Sequence, residues 1–570
     1  MKRAQWLGVA VVAIIVVAAG AYFMRKPPEP GGGTPAPQEA AKAVEHRGGT
    51  MRLVAVGAGG TIDPQINYTL QYWQLYQGLY DGLLNFKKGV GEEGFKVVPD
   101  LAEDMPQVAD DGKTLIFKIR KGIKFSNGQD LTTKDVVASF QRIFKVSSPT
   151  AGGFYSGIVG ADKCLAEPAS CTLEGGVVAD EAANTVTLHL TQPDAEIYYK
   201  LAVPHAVILP ADSPAKDVGT TALPGTGAYM VESYDPNKQL KIVRNPHFKE
   251  WSKDAQPDGY PDVVVMDFGL TDEAEVTAVA NDQADWAFDP PPADRLAEIG
   301  TKYKDQVHVT PLTAMWYAPM NVNIPPFNNE KARQAVSYAI DRAALVKLFG
   351  GDVLASPVCQ ILPPGFPGHV DYCPFTKNPE ANKWSAPDMD KAKALMQESG
   401  QIGQPVTVIS EDSAVSKSVG TYLQSVLNEL GFKAELKPIS SNIQFTYIQN
   451  TNNKVQISVT QWYQDYPAAS DFLNILFGCD SFHEGSDSSV NIAGFCDKEI
   501  DAKMKEAMKV AVTDPKKADE MWAGIDRAVT DKAAAAILFT PKHVDFVSKR
   551  LGNFQFNPQF YFMVYQAWVQ

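Results

Sequence analysis

The sequence lacks any block of lysines or arginines, and its 52 Lys+Arg are outnumbered by 66 Asp+Glu, a formal net charge of −14. That excludes a phosphate-tracking surface, since nucleic-acid affinity rests on clustered cations; the acidity suits a soluble, self-repelling surface. Catalytic signatures are missing as well. His483-Glu484 has no second histidine to complete HExxH, and no GxSxG elbow occurs, so neither zinc-protease nor α/β-hydrolase chemistry is written in the chain. The glycines of Pro224-Gly225-Thr226-Gly227-Ala228-Tyr229 open no helix and precede no Lys-Ser/Thr, which excludes a phosphate cradle. Backbone geometry is the better reading for them. The 8 histidines are scattered without ligand spacing. No cofactor and no catalytic residue is expected.

Long hydrophobic runs are absent except for one, Trp6 to Met24, preceded by Lys2-Arg3 and followed by Arg25-Lys26. A helix of that length spans roughly 28 Å, close to the ~30 Å hydrocarbon core. It reads either as a cleaved signal peptide, with Ala19-Gly20-Ala21 a poor cleavage site, or as an uncleaved anchor with its start in the cytoplasm. The length and the basic flank favour the anchor, residues 1–26. Residues 27–48, rich in Pro, Gly and Ala, have almost no apolar bulk and form a tether rather than a core. The remaining chain is too long for one core and implies two or three domains.

Cysteine is scarce, and absent before Cys164. The six are Cys164, Cys171, Cys359, Cys373, Cys479 and Cys496. An even number in an exported chain favours disulfides. They fall in three sequence-local pairs, and local pairing is the expectation among the fifteen connectivities that six cysteines allow. Cys479, Asp480, His483, Glu484 and Cys496 could bind a metal, but a disulfide-closed polar loop is the reading an exported context favours.

The segment Thr114 to Phe144 says most. Leu115, Phe117 and Ile119 alternate with Ile116, Lys118 and Arg120, the period of a strand with one wetter face. Ser126-Asn127-Gly128 is turn chemistry. Thr132 caps a helix with Asp135 three residues on, and Val136, Phe140, Ile143 and Phe144 share a face. In wording, TLIFKIRKGIKFSNGQDLTTKDVVASFQRIF resembles the signature of the family 5 extracellular solute-binding proteins, the peptide-binding subunits of ABC importers. Other stretches are similar to that family: Thr61-Ile62-Asp63-Pro64 followed by a helical pattern over Tyr72–Leu84, the glycine element with Lys241–Trp251, and Asn321–Gly351. In the last, Asn328 or Asn329 caps a helix whose buried face carries Val336, Ile340 and Ala344, and Arg333 and Asp341 read as helix-surface and packing groups. From Asp388 onward strand and helix alternate. Asp388 and Gly400 bound one helix, Val419, Leu423, Val426, Leu427 and Leu430 stripe the next, and Pro405–Ser410 and Phe432–Leu436 are strands, a rhythm that implies a mainly parallel sheet.

The resemblance implies an α/β, periplasmic-binding-protein type II-like fold of two lobes with an extra inserted subdomain. Carried over, lobe I holds residues 49–82, 208–311 and 540–570, the subdomain 83–207, and lobe II 312–539, with crossings near Pro311 and Pro541. It also implies a monomeric receptor outside the cytoplasmic membrane that performs no chemistry, captures a di- or oligopeptide and delivers it to an ABC transporter permease. Relatives of this kind bind nickel chelates, oligosaccharides or other solutes, so a non-peptide ligand such as a cationic amine is the alternative, and an exported hydrolase a more distant one. Many are lipoproteins, a route closed here because no cysteine follows the apolar run.

The site residues come from Thr460–Leu473, TQWYQDYPAASDFL, which resembles the family's interface motif. By that resemblance Asp465 pairs with a peptide's α-amino group, Trp462 walls the pocket, and Tyr463 and Tyr466 add amphipathic walls. The chain departs at Ala468-Ala469-Ser470-Asp471, where only the last aspartate of the family pattern is kept.

Overall fold

A computed structural model describes residues 46–570 other than 293 and 353. The apolar run Trp6–Met24 and the tether lie outside the described residues; among those described, no helix is long and apolar enough to cross a membrane.

Two sheet systems organise the body Arg47–Gln570. In the first, Thr50–Ala55 lies between two parallel neighbours, Val263–Phe268 and Trp286–Ala287, and Gln239–Arg244 and Tyr229–Asp235 extend it antiparallel. Val263–Phe268 alternates half-buried and buried positions, the pattern of a strand with one face on the core. In the second, the long strand Ala535–Phe546 pairs antiparallel with Val307–Pro311 along one half and with Ala314–Pro319 along the other, and Thr460–Tyr463 joins the outer edge of Ala314–Pro319. Pro311 and Lys542 are register partners, so the two stretches expected to cross between lobes run side by side.

The alternating region folds as a three-stranded parallel sheet, Lys433–Ile439, Pro405–Glu411 and Ile457–Ser458. The helix Ala414–Glu429 connects the first pair and buries Val419, Leu423, Val426 and Leu427. The larger sheet beside it is antiparallel.

Thr114–Lys118 sits inside a four-stranded antiparallel sheet with Gln107–Ala109, Thr185–His189 and Val177–Asp180. Phe117 and Ile119 are fully buried. The helix Thr133–Lys145 starts where expected: the Asp135 carboxylate accepts from both the backbone N–H and the hydroxyl of Thr132, each at 2.7 Å.

Several expectations change. The helix read over Tyr72–Leu84 spans only Leu70–Tyr76, and Leu84 opens a strand, Leu84–Phe86; the aromatic spacing continues past the helix because the following turn is buried too. The single helix read after Asn329 is two, Glu330–Ala339 and Arg342–Phe349. Asp341 breaks it by capping the second, accepting from the Ala344 N–H at 3.1 Å. Arg333 is buried rather than surface, donating to the carbonyls of Phe327 and Lys532 at 2.7 and 2.9 Å. The glycines at 225 and 227 have a local reason. A Cβ on Gly225 would meet the Leu79 carbonyl at 2.0 Å, and one on Gly227 the Gly78 carbonyl at 2.3 Å. They let two backbone segments of the first body touch.

All six cysteines are paired locally: Cys164–Cys171, Cys359–Cys373 and Cys479–Cys496, with sequence separations of 7, 14 and 17. The last bridge takes both thiols out of the polar cluster around His483.

Candidate ligand-binding site

A cavity of about 250 Å³ lies between the two sheet systems. One wall comes from the loop after Thr50–Ala55, the start of the helix Leu70–Tyr76 and the residues after Trp286–Ala287. The other comes from the ends of Pro405–Glu411 and Thr460–Tyr463.

The second wall is built by strand pairing. Trp462 and Tyr463 face Met315 and Ala314 in the antiparallel ladder, and the Gln464 N–H donates to the Thr313 carbonyl at 3.0 Å. Asp465 follows where the strand ends. Its N–H is held by the carboxylate of Asp471 at 2.9 Å, in the first turn of the helix Ser470–Phe477. The Asp465 carboxylate accepts from the hydroxyl of Tyr68 on the opposite wall, and the Asp465 carbonyl accepts from the Gln559 amide. Burial pushes Asp465 up to about 7, against the Tyr68 hydrogen bond, which favours the charged form. Tyr68 is raised, by burial first and by Asp465 second.

Tyr68 is fixed by rings. It stacks on Trp73 at 5.3 Å and meets Trp462 edge-on at 5.5 Å and His205 at 4.9 Å. His205 is buried, with its pKa lowered to about 4 by desolvation, so it is neutral.

Of the four residues read from the sequence, Trp462, Tyr463 and Asp465 line the cavity and Tyr466 does not. Tyr466 is fully buried, stacked on Tyr199 at 6.2 Å and edge-on to Phe154 at 5.4 Å, with its hydroxyl on Ser470. The strand's two-residue alternation is lost after Tyr463, which turns Tyr466 into the core.

Sequence reasoning missed the other lining carboxylates, on both walls. Asp289 accepts from the Val56 N–H at 2.7 Å. Glu411 ends its strand and faces Gln461. Burial pushes each to about 7, and Asp289 adds to the rise at Glu411. Asp272 completes a set of four lining carboxylates with Asp465, and among the described residues the lining includes no lysine or arginine. No spacing in the chain signals this, because the four arrive from different elements. The walls also touch directly: the Ala58 N–H donates to Asn442 Oδ1 at 3.0 Å, a contact that needs Gly57, where a Cβ would stand 2.6 Å from that oxygen.

Chemically, the cavity offers acceptors in excess and aromatic walls. That arrangement suits a donor-rich molecule.

Residues 96–484 match the family model described as bacterial extracellular solute-binding proteins, family 5 Middle. The chain is 26% identical over 520 residues to the glutathione-binding protein GsiB of Salmonella choleraesuis (strain SC-B67), covering 89% of this chain and 92% of that relative. It is 25% identical over 525 residues to the protein of the same name from Escherichia coli (strain K12), with the same coverage. Among solved structures, the Escherichia coli murein tripeptide binding protein MppA superposes with a TM-score of 0.77 at 21% identity, covering 92% of this chain and 99% of that one. The clavulanic acid biosynthesis oligopeptide binding protein 2 superposes with a TM-score of 0.76 at 23% identity, covering 92% and 96%. These superpositions show the two-lobe α/β fold.

Proposed function

The chain belongs to the family 5 bacterial extracellular solute-binding proteins, and from that premise we propose that it captures a di- or oligopeptide between its lobes and delivers it to an ABC transporter permease. The observation that carries this reading is the Tyr68–Asp465 pair across the cavity. A peptide's one guaranteed cation is its amino terminus, and a carboxylate in a dry cleft, oriented by a hydroxyl, is the group that holds it. Trp462 and Tyr463 wall the bound chain, and main-chain hydrogen bonds carry its backbone. Relatives named for glutathione and for murein tripeptide lend support at the level of ligand class.

The lobes are 49–82, 208–311 and 540–570 against 312–539, with 83–207 as the inserted subdomain. Closure is a hinge equilibrium that the ligand biases, the strands meeting at Pro311 and Lys542 serving as the hinge. The protein acts as a receptor rather than an enzyme, as a monomer, held at the outer face of the cytoplasmic membrane by Trp6–Met24. Mass spectrometry of the ligand that co-purifies with the full chain tests the reading. A peptide released on denaturation supports it; a sugar or a metal chelate in its place overturns it.

A further inference from the structure

The cavity is lined by more carboxyl groups than one amino terminus can answer. Besides Asp465, it is lined by Asp289 and Asp272 from the first body and Glu411 from the second. These three form a group of their own: Asp289 acts electrostatically on Glu411, and Asp272, countered in part by Lys417 from outside the lining, acts on Asp289. Glu411 is reached by Gln461, four residues before Asp465 on a segment extended through Tyr463, so the two acidic positions lie on the order of 10 Å apart.

Uncapped acceptors sit in the same walls. Gln71 is 4% exposed and lines the cavity. Its Nε2 donates to the Gly57 carbonyl at 2.9 Å, which fixes the amide's orientation and leaves Oε1 without a partner. Gln464, also 4% exposed, is fixed in relay: Gln559 donates to the Asp465 carbonyl, Gln464 Nε2 donates to Gln559 Oε1, and Gln464 Oε1 is left without a partner. Buried acceptors of this kind call for N–H donors from a ligand. Two donors are left over as well, Trp316 Nε1 and Trp462 Nε1, which peptide carbonyls would satisfy.

We propose that the ligand carries a second positive charge, which seats against Asp289 and Glu411 while the first seats on Asp465. This rests on the peptide reading and narrows it to peptides with a lysine- or arginine-like side chain; a linear polyamine offers the same paired ammonium chemistry. The second cation does work that the first does not. Asp289 and Glu411 belong to opposite walls, so bringing them together without a counter-charge is repulsive, and a cation between them turns that repulsion into a bridge that favours closure.

The test is titration calorimetry on the full chain in detergent with Ala-Lys-Ala, its norleucine counterpart Ala-Nle-Ala, and spermidine. The lysine peptide is expected to bind at least about tenfold more tightly than the norleucine peptide, the discrimination a charge-assisted hydrogen bond confers. In Asp289→Asn/Glu411→Gln, that ratio is expected to fall below about threefold. A wild-type ratio near one overturns the second cation site and leaves peptide capture standing. A high ratio that survives in a folded double variant overturns the assignment to Asp289 and Glu411. Spermidine binding with both peptides rejected keeps the dication and overturns the peptide; no binding by any of the three overturns both readings. If the double variant does not fold, the wild-type ratio decides, with Glu411→Gln alone as the second measurement.

Discussion

The hydroxyl of Tyr68 donates to the carboxylate of Asp465, a residue 397 positions later in the chain. One side chain hangs from the loop after the first strand and the other from the end of an edge strand in the second sheet system. The bond therefore closes the cavity and presets its principal anion in one step.

Replacing Asp465 by alanine removes that anion and orphans the Tyr68 hydroxyl. Peptides with a free amino terminus are expected to lose roughly 3–5 kcal/mol of binding free energy, the scale for breaking a buried pair. N-acetylated peptides, already weak, should lose much less. Calorimetry on the matched pair checks this; equal losses would remove the anchor assignment. Tyr68→Phe keeps the charge and should cost less, about 0.5–1.5 kcal/mol for one hydrogen bond.

Stability should respond to pH in a direction opposite to that of a salt-bridged acid. Asp289, Glu411 and Asp465 each rise to about 7 in the folded chain from ordinary values of 3.8, 4.5 and 3.8. The folded state thus binds protons more tightly than the unfolded one between about pH 4 and 7. Their contribution to stability is fully present below that window and is lost as pH rises through 7. The ligand-free protein should melt at lower temperature at pH 8 than at pH 5.5. A cationic ligand binds the ionised carboxylates, so its stabilising shift should grow over the same interval. Asp526 is also raised, to about 6, but it lies away from the cavity. Subtracting the ligand-free melting curves therefore isolates the cavity groups.

Arg142 ties the helix Thr133–Lys145 to the body. It is 4% exposed and contacts Asp63 and Gln65 at 3.0 Å, the Pro214 carbonyl at 2.7 Å and the Lys216 carbonyl at 3.1 Å. Arg142→Met leaves Asp63 buried without its partner and should cost about 3–5 kcal/mol in urea unfolding. Replacing both Arg142 and Asp63 by apolar residues should cost clearly less than that; an equal or larger loss would show that the charge pair is not the source.

The three disulfides close short loops, and each should stabilise by about 2–4 kcal/mol. Replacing Cys359 and Cys373 together by alanine should lower the melting temperature, and reductant should have no further effect at that site. Non-reducing peptide mapping should recover three local pairs; any long-range pair would contradict the arrangement.

How much was legible depended on the range of the interaction. Caps, turns and local bridges are decided within a few residues. Thr132 with Asp135, Asp388 capping Met389–Ser399 and the pairing of neighbouring cysteines could therefore be read directly. Trp462 and Asp465 were read through resemblance, and the structure sets both on the cavity wall. Tyr466 was read through the same resemblance, and the structure packs it in the core because the chain leaves the strand after Tyr463. Tyr68 was passed over since a tyrosine in a polar loop has no pattern to mark it.

The sequence by itself determined the elements, the family and the net negative charge, because propensity, periodicity and composition act locally or sum over the chain. Only the tertiary structure decided what the cavity contains. Asp272, Asp289, Glu411 and Asp465 are scattered through the chain and ordinary in their local settings. They become an acidic cleft when two sheets close on one another, since burial raises the free energy of each charge and leaves a positively charged ligand as the natural way to neutralise it.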